Sequence, residues 1–308
     1  MTVNSNLETF CNKQVTNYIP KKGIKNPETL AYRLIISYEE YETGIEMETM
    51  IEKFVKDPLA STVEDLIIGA YDYESSTSSS GLVGSLVKAK NKLPKLKNLF
   101  IGDITYEEAE ISWIQQSDVN SMFSAFPNLE HFQIRGGTGL SLGKIVHKNL
   151  KTLIVETGGL PPNVIEEIND SDLPNLTHLE LWLGSSEYGF ESTVEDLDAI
   201  LSGQKFPKLK YLGLKDSDIA DEIAIALQGA VVLQGLDELN LSMGTLGDVG
   251  AQALINNADL RNVGHINLSH HYMSTEMMHK ISNEFISVNV DNQLEADEDG
   301  DRYVEVAE

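Results

Sequence analysis

The strongest constraint on this chain is a short pattern of apolar residues that recurs along most of its length. Leu, Ile, Val or Phe occupies positions 1, 4 and 6 of each unit, as in Leu209, Leu212 and Leu214. Positions 4 and 6 are two residues apart, so in a strand they lie on the same face. A repeat of this kind predicts one small structural unit that is used many times. The units begin at Val63, Leu96, Leu129, Leu150, Leu176, Leu209, Leu236, Val263 and, more weakly, Phe285.

The spacing of these units indicates the fold. Successive units begin between 21 and 33 residues apart. This range brackets the roughly 20–29 residues of leucine-rich repeats, with insertions in some units. Between the strands the apolar period becomes helical, as in 219–227 and 246–254. We therefore predict an α/β protein, a right-handed leucine-rich-repeat solenoid of horseshoe shape, with parallel strands on the concave face and helices on the convex face.

The regions flanking the repeats are expected to close the ends of the solenoid, because terminal repeats expose apolar surface. We predict an N-terminal cap at 1–60, the solenoid at 61–290, and an acidic C-terminal cap or tail at 291–308. Within the first cap, residues 45–55 have the apolar spacing of an amphipathic helix. In the tail, residues 302–306 are a candidate closing strand.

Composition narrows the classes of partner. The net charge is −25, from 48 acidic and 23 basic side chains, which disfavours nucleic acid phosphates and anionic membranes as partners. The acidity is explained either by solubility or by a basic protein partner. Cys11 is the single cysteine, so no internal disulfide forms, and the sequence has no pattern of a signal peptide or transmembrane helix. These features predict a cytoplasmic protein.

Several segments point to a known family. The chain resembles, almost end to end, a family of bacterial cytoplasmic leucine-rich-repeat proteins of uncharacterised function. The segment 246–254 is similar to the ribonuclease-inhibitor type of repeat, which implies protein binding on the concave side. The segments that carry the resemblance are 110–114 (EISWI), 135–140 (RGGTGL), 179–184 (LELWLG), 244–248 (GTLGD) and 301–304 (DRYV).

The chain also departs from that family. The Asn or Cys that characteristically follows the strand is absent, and Ser217, Gly244 and His271 hold the equivalent places. The resemblance implies no catalytic residue that could be carried over to this chain.

Motifs of known chemistry are incomplete here. The glycine-rich segment 136–144 departs from the phosphate-loop pattern at Thr138 and Ile145, and is better explained as a turn. The acidic segment 297–308 has Arg302 where a calcium loop requires glycine. The strand histidines are too far apart to share one ion, and the sequence has neither a G-x-S-x-G nor an H-E-x-x-H motif. We therefore predict no catalytic residues, no metal and no cofactor.

The outward positions of the middle strands suggest a contact surface. Positions 3, 5 and 7 of each unit point away from the core, and four consecutive strands there concentrate aromatic and charged residues over ~15 Å. We predict that this surface binds a partner, with an exposed Trp182 at its centre. The alternative is a salt-bridged surface whose aromatics are covered by the loop 185–192. The predicted contact residues are Arg135, Glu156, His178, Glu180, Trp182, Tyr211 and Lys215.

These observations favour a non-catalytic protein-binding scaffold that uses its concave sheet, with a protein partner that is basic if the acidity serves binding. The alternative is a small-ligand-binding or enzyme-accessory protein with a site around Trp182. A deep pocket under the loop 185–192 would favour the ligand, and an open groove would favour a protein. The sequence does not indicate the partner's identity or the oligomeric state.

Overall fold

Each apolar triad of the sequence lies on or beside a short strand. The structure, a computed structural model, describes residues 3–307. In the first eight units the residue at position 4 is at most 1% exposed, as Leu99, Leu212 and Ile266 illustrate. The strands bury this face against helices and turns of their own and neighbouring repeats, so the triads form the core.

The first compact unit, called the N-terminal unit here, comprises Val3–Leu153 together with Ser171–Leu173. Its first two strands form an antiparallel pair, and the strands that follow pair in parallel in the order of the sequence. The expected helix at 45–55 is confirmed at Met47–Val55. The strands are β1 Thr9–Phe10, β2 Lys13–Asn17, β3 Leu30–Leu34, β4 Asp65–Gly69, β5 Asn98–Asp103 and β6 His131–Arg135, and the helices are α1 Tyr38–Glu42, α2 Met47–Val55, α3 Ser80–Lys88 and α4 Asn120–Ala125.

The second compact unit, called the C-terminal unit, comprises Ile154–Asp170 and Pro174–Ala307. The strand β7, Thr152–Glu156, begins in the first unit and ends in the second. The remaining strands are β8 His178–Gly184, β9 Tyr211–Ser217, β10 Glu238–Asn240, β11 His265–Asn267 and β12 Val288–Asn289. The helices are α5 Pro162–Asp170, α6 Asp198–Leu201, α7 Ala220–Ala226, α8 Asp248–Asn256 and α9 Thr275–Glu284.

The strand register follows the repeat. In the C-terminal unit Leu179 pairs with Leu212, Leu212 with Leu239, and Leu239 with Ile266, all in parallel. These are the position-4 residues of four successive units, so equivalent positions lie side by side across the sheet. The predicted α/β leucine-rich-repeat solenoid is therefore confirmed.

A turn in the left-handed region ends many of the strands. In five units the residue at position 8 has a positive φ, from 53° at Asp216 to 104° at Gly136. At Gly136 a β-carbon would lie 2.7 Å from the side chain of Ile114, so only glycine fits there. The glycine-rich segment 136–144 is thus a turn, as its sequence predicted.

Residues 302–306 form no strand. Instead they lie across the end of β9 and the turn that follows β10. The Val306 N–H donates to the Asp216 carboxylate, and the Glu305 N–H donates to the Met243 carbonyl. Arg302 donates to the Thr245 carbonyl and lies against Asp221. The tail contributes backbone donors at both places, so it closes them without extending the sheet.

Candidate binding surfaces of the sheet

Glu180 is the centre of a polar cluster on the sheet face opposite the helices, called the open face here. Its carboxylate accepts hydrogen bonds from Trp182 Nε1 at 2.7 Å, Tyr211 Oη at 2.5 Å and Lys215 Nζ at 3.1 Å. Asn240 Nδ2 in turn donates to Tyr211 Oη at 3.0 Å. The cluster spans β8, β9 and β10, so its geometry is fixed by the register of three strands.

The charge at Glu180 is stabilised by its neighbours. Burial opposes ionisation, but the Lys215 ammonium and the hydrogen bonds from Tyr211 and Trp182 hold the pKa of Glu180 below its ordinary value. Burial, together with the nearby Glu180 charge, raises the pKa of Tyr211. Glu180 is therefore a carboxylate and Tyr211 a phenol at neutral pH, and the cluster is a charge-assisted network.

Gly213 makes room for this network. It occupies position 5 of its unit, between Glu180 and Asn240 in the sheet. A β-carbon at Gly213 would lie 3.1 Å from Glu180 Cγ and 3.1 Å from Tyr211 Cε1. The missing side chain lets the Tyr211 hydroxyl and the Glu180 carboxylate approach each other over the strand.

His178 stacks on Tyr211, with ring centroids 3.9 Å apart and planes at 4°. Burial lowers the pKa of His178 and the Lys215 charge lowers it further, against the opposing effect of Glu180. The ring is therefore a neutral imidazole near pH 7. Its Nε2 is buried and finds no hydrogen-bond partner among residues 3–307.

Trp182 does not have the exposure that its position in the repeat predicts. It is only 6% exposed, its indole N–H is bonded to Glu180, and Lys215 Nζ lies 4.8 Å from the ring centroid. The Thr157 hydroxyl donates to its carbonyl. The expectation of an exposed tryptophan was wrong, because the cluster encloses the ring.

Two other predicted contact residues are buried as well. Arg135 belongs to the N-terminal unit, is 5% exposed, donates to the Ile104 carbonyl at 2.8 Å and lies over the Phe100 ring. Glu156, at the end of β7, is also 5% exposed. The predicted surface therefore does not present all seven residues to a partner.

The side chains that the C-terminal unit does present belong to position 3. Tyr211, Glu238 and His265 are half-buried and lie side by side in register on β9, β10 and β11. His178 precedes them in the same row on β8. Of the seven predicted contact residues, four keep partial access to solvent, and Glu238 and His265 extend the row beyond the predicted site. The four are His178, Glu180, Tyr211 and Lys215.

An asparagine ladder was missed in the sequence. Asn240, Asn267 and Asn289 occupy position 5 of three successive units, and the side-chain oxygen of each accepts the N–H two residues further on. Each asparagine side chain is bonded to the end of its own strand. Its oxygen therefore has a hydrogen-bond partner on the open face without any segment lying over it. The recurrence of the same residue at the same register was the signal that could have revealed it.

His271 stands after its strand, where the resembled family has an asparagine or cysteine, and its ring is bonded to the backbone on both sides. It is fully buried, with Nδ1 accepting the Met273 N–H at 3.1 Å and Nε2 facing the Val290 carbonyl at 2.9 Å. These partners fix the neutral tautomer that carries its proton on Nε2. Burial lowers the pKa of His271, in keeping with this state.

Two general findings bear on function. Among residues 3–307 no group of three or more His, Cys, Asp or Glu side chains is arranged to hold a metal ion. In the same residues, no helix has both the length and the apolar character needed to cross a membrane.

Solved structures show which proteins this chain is similar to. A protein from Bacteroides fragilis, known from a structural-genomics crystal structure, is 32% identical, with 89% of this chain and 76% of that chain covered and a TM-score of 0.82. An internalin from Listeria monocytogenes is 13% identical, with 77% of this chain and 57% of that chain covered and a TM-score of 0.34. No protein-family model and no curated protein matches the chain.

Proposed function

The chain belongs to the same protein family as the Bacteroides fragilis protein, and from this premise we propose that it is a non-catalytic protein-binding scaffold. The surface it uses is the open face of the C-terminal unit. The single observation that supports this most is the row of half-buried side chains at position 3, in which Glu180 holds Tyr211 and Ser287 holds His265. A preformed row of this kind loses little side-chain entropy when a partner binds.

The chemistry of the cluster supports binding over catalysis. The Glu180 carboxylate, a natural candidate for a general base, is already engaged by three donors, and its low pKa makes it a weak base. Tyr211 is held as a phenol by burial and by Glu180. The groups of the cluster therefore stabilise one another and are not poised to transfer a proton.

The partner we propose is a protein with a basic surface. The net charge of −25 disfavours nucleic acid and anionic membranes and attracts cations. Glu238 lies within the half-buried row, so it is placed to meet a lysine or arginine. The lone cysteine supports the cytoplasm as the compartment in which the protein works.

A matched pair of charge reversals tests the proposal. Glu238→Lys changes the open face, and Glu222→Lys makes the same change on the exposed side of α7. Protein captured from a native lysate on wild type should be lost with Glu238→Lys and retained with Glu222→Lys. Equal recovery on all three baits would refute the open face as the binding surface.

A small-ligand or enzyme-accessory role around Trp182 remains the second candidate. It is favoured by His178 Nε2, which is buried within the cluster and has no bond to a described residue. A ligand with a hydrogen-bond donor or acceptor would satisfy this atom. A screen of small metabolites by thermal shift, with His178→Phe as control, separates the two: stabilisation that depends on His178 would support a ligand and not a protein partner.

A further inference from the structure

The open face of the N-terminal unit is covered by residues 3–12 of the same chain, called the covering segment here. Ile67 and Phe100, at position 5 of their units, are 0% exposed, although position 5 points away from the core. Phe10 packs against both, with its ring centroid 6.5 Å from that of Phe100. It also meets the His131 ring edge-on at 5.1 Å. These residues form an apolar socket for one aromatic side chain.

A buried ion pair binds the main chain of the covering segment. The Asp103 carboxylate accepts the Leu7 N–H at 3.2 and 3.3 Å, and Arg33 Nη1 donates to the Leu7 carbonyl at 3.2 Å. Arg33 and Asp103 are also bonded to each other, and Asp103 is fully buried. Asn6 Nδ2 donates to the Asp103 carbonyl. The pair therefore recognises the backbone N–H and C=O of a single residue, and the Leu7 side chain packs beside the socket.

The covering segment has little regular structure of its own. Its strand consists of Thr9–Phe10 alone, and residues 3–8 belong to no helix or strand. The turn that joins it to β2 places Cys11 at φ 46° and Asn12 at φ 65°, a region that residues other than glycine disfavour. The segment is held by a few apolar side chains, Leu7 and Phe10 among them, and by hydrogen bonds to its backbone, which are interactions that a separate linear peptide can also make.

We propose that the open face of the N-terminal unit is a peptide-binding groove that the covering segment occupies as an intramolecular ligand. The partner that fits is an extended polypeptide segment with two large apolar side chains three residues apart, as Leu7 and Phe10 are. Asp103 binds the backbone N–H of its first apolar residue and Arg33 binds the C=O of the same residue, while its second apolar residue fills the socket. The groove involves neither the Glu180 cluster nor the position-3 row, so this inference stands independently of the proposed function.

Peptide binding to the full chain is the first test. The probe is a fluorescently labelled synthetic peptide of residues 3–12 that carries Cys11→Ser. Phe10→Ala weakens the intramolecular ligand, so this variant should bind the peptide at least about tenfold more tightly than wild type, measured by anisotropy. Phe123→Ala, an equally buried phenylalanine of α4 outside the groove, should bind it as weakly as wild type. No binding by folded Phe10→Ala, or equal binding by both variants, would overturn the proposal.

The thiol of Cys11 gives a second measurement on the wild-type chain. Burial and the nearby Asp65 raise the pKa of Cys11 to about 12, so this single cysteine should react slowly with an aromatic disulfide reagent. Excess peptide displaces the covering segment, so labelling should accelerate. The same peptide with Leu7→Ala and Phe10→Ala should leave the rate unchanged. If Phe10→Ala does not fold, this rate decides: a rate that no peptide concentration alters would overturn the proposal.

Discussion

The two units differ in the residues that occupy position 5 of the repeat. In the first two repeats of the N-terminal unit position 5 is apolar, and Ile67 and Phe100 are fully buried beneath the covering segment. In the C-terminal unit position 5 carries Glu180, Asn240 and Asn267, whose polar atoms are bonded within the sheet. Position 4 is thus apolar and buried in both units, whereas an apolar position 5 at Ile67 and Phe100 coincides with a segment that lies over the open face.

The largest loss of stability is expected at position 5 of the covered face. Phe100→Ala removes a fully buried ring from the covered face and should lower the free energy of unfolding by about 3–5 kcal/mol. Asn267→Ala, at the same position in the C-terminal unit, loses one bond to the Ser269 N–H and should lower it by about 1 kcal/mol. Urea unfolding of both variants measures the difference, and similar losses would contradict the contrast.

The Glu180 cluster should show the next largest effect. Glu180→Gln removes the charge that Lys215 faces at 3.1 Å and should lower the free energy of unfolding at pH 7 by about 1–3 kcal/mol. Because the folded-state pKa of Glu180 lies below the ordinary value of 4.5, this stabilisation is complete above that value.

The effect of Glu180→Gln should then disappear as the pH falls through the lowered folded-state pKa, since the carboxylate is protonated in both states. Glu238→Gln, in the half-buried row of the same face, should stay within about 0.5 kcal/mol of wild type at pH 7. A Glu180→Gln effect that persists unchanged in acid would show that the charge does not stabilise the cluster.

Each unit also contains a buried histidine whose ring is bonded to backbone groups, His147 in the N-terminal unit and His271 in the C-terminal unit. Replacing these histidines should have a smaller effect on stability, and one that depends on pH. Burial lowers the pKa of His147 and of His271, so their stabilising contribution is complete above the unfolded value of about 6.5. As the pH falls below it, the unfolded state gains the proton first and stability declines until the folded pKa is reached.

Replacing either histidine by asparagine should reduce this acid-dependent loss, because asparagine has no proton to gain in the unfolded state. Thermal unfolding at pH 7.5 and at pH 5.5 measures it, for each variant against wild type. Parallel pH profiles of variant and wild type would show that these imidazoles do not contribute.

Two glycines should give the smallest effects, with opposite signs. Gly213→Ala places a β-carbon 3.1 Å from Glu180 and Tyr211 and should destabilise by about 1 kcal/mol. Gly84→Ala lies within α3 with no atom within 4 Å of the added carbon, and should stabilise by about 0.5–1 kcal/mol. A change of the same sign in both melting temperatures would mean that Gly213 does not make room for the cluster.

Much of the candidate site followed from the repeat. Strand alternation placed Glu180, Tyr211 and Lys215 together on neighbouring strands, and the structure brings these three side chains into contact. The exposure of Trp182 could not be derived in this way, because alternation gives the direction of a side chain but not its neighbours. Lys215 from the next strand and the bond to Glu180 enclose the ring.

The fold could be predicted from the apolar repeat alone, because apolar residues at positions 4 and 6 are buried only when successive strands align in register. The repeat also predicted the burial of Leu212, which is 0% exposed. Two features are visible in the tertiary structure and not in the sequence. Phe10 covers Ile67 and Phe100, and the Val306 N–H is bonded to the Asp216 carboxylate. Those contacts join residues 57 to 90 positions apart, from Phe10 to Ile67 and from Asp216 to Val306. No local period encodes such a distance, since it depends on where an irregular segment finds a complementary surface.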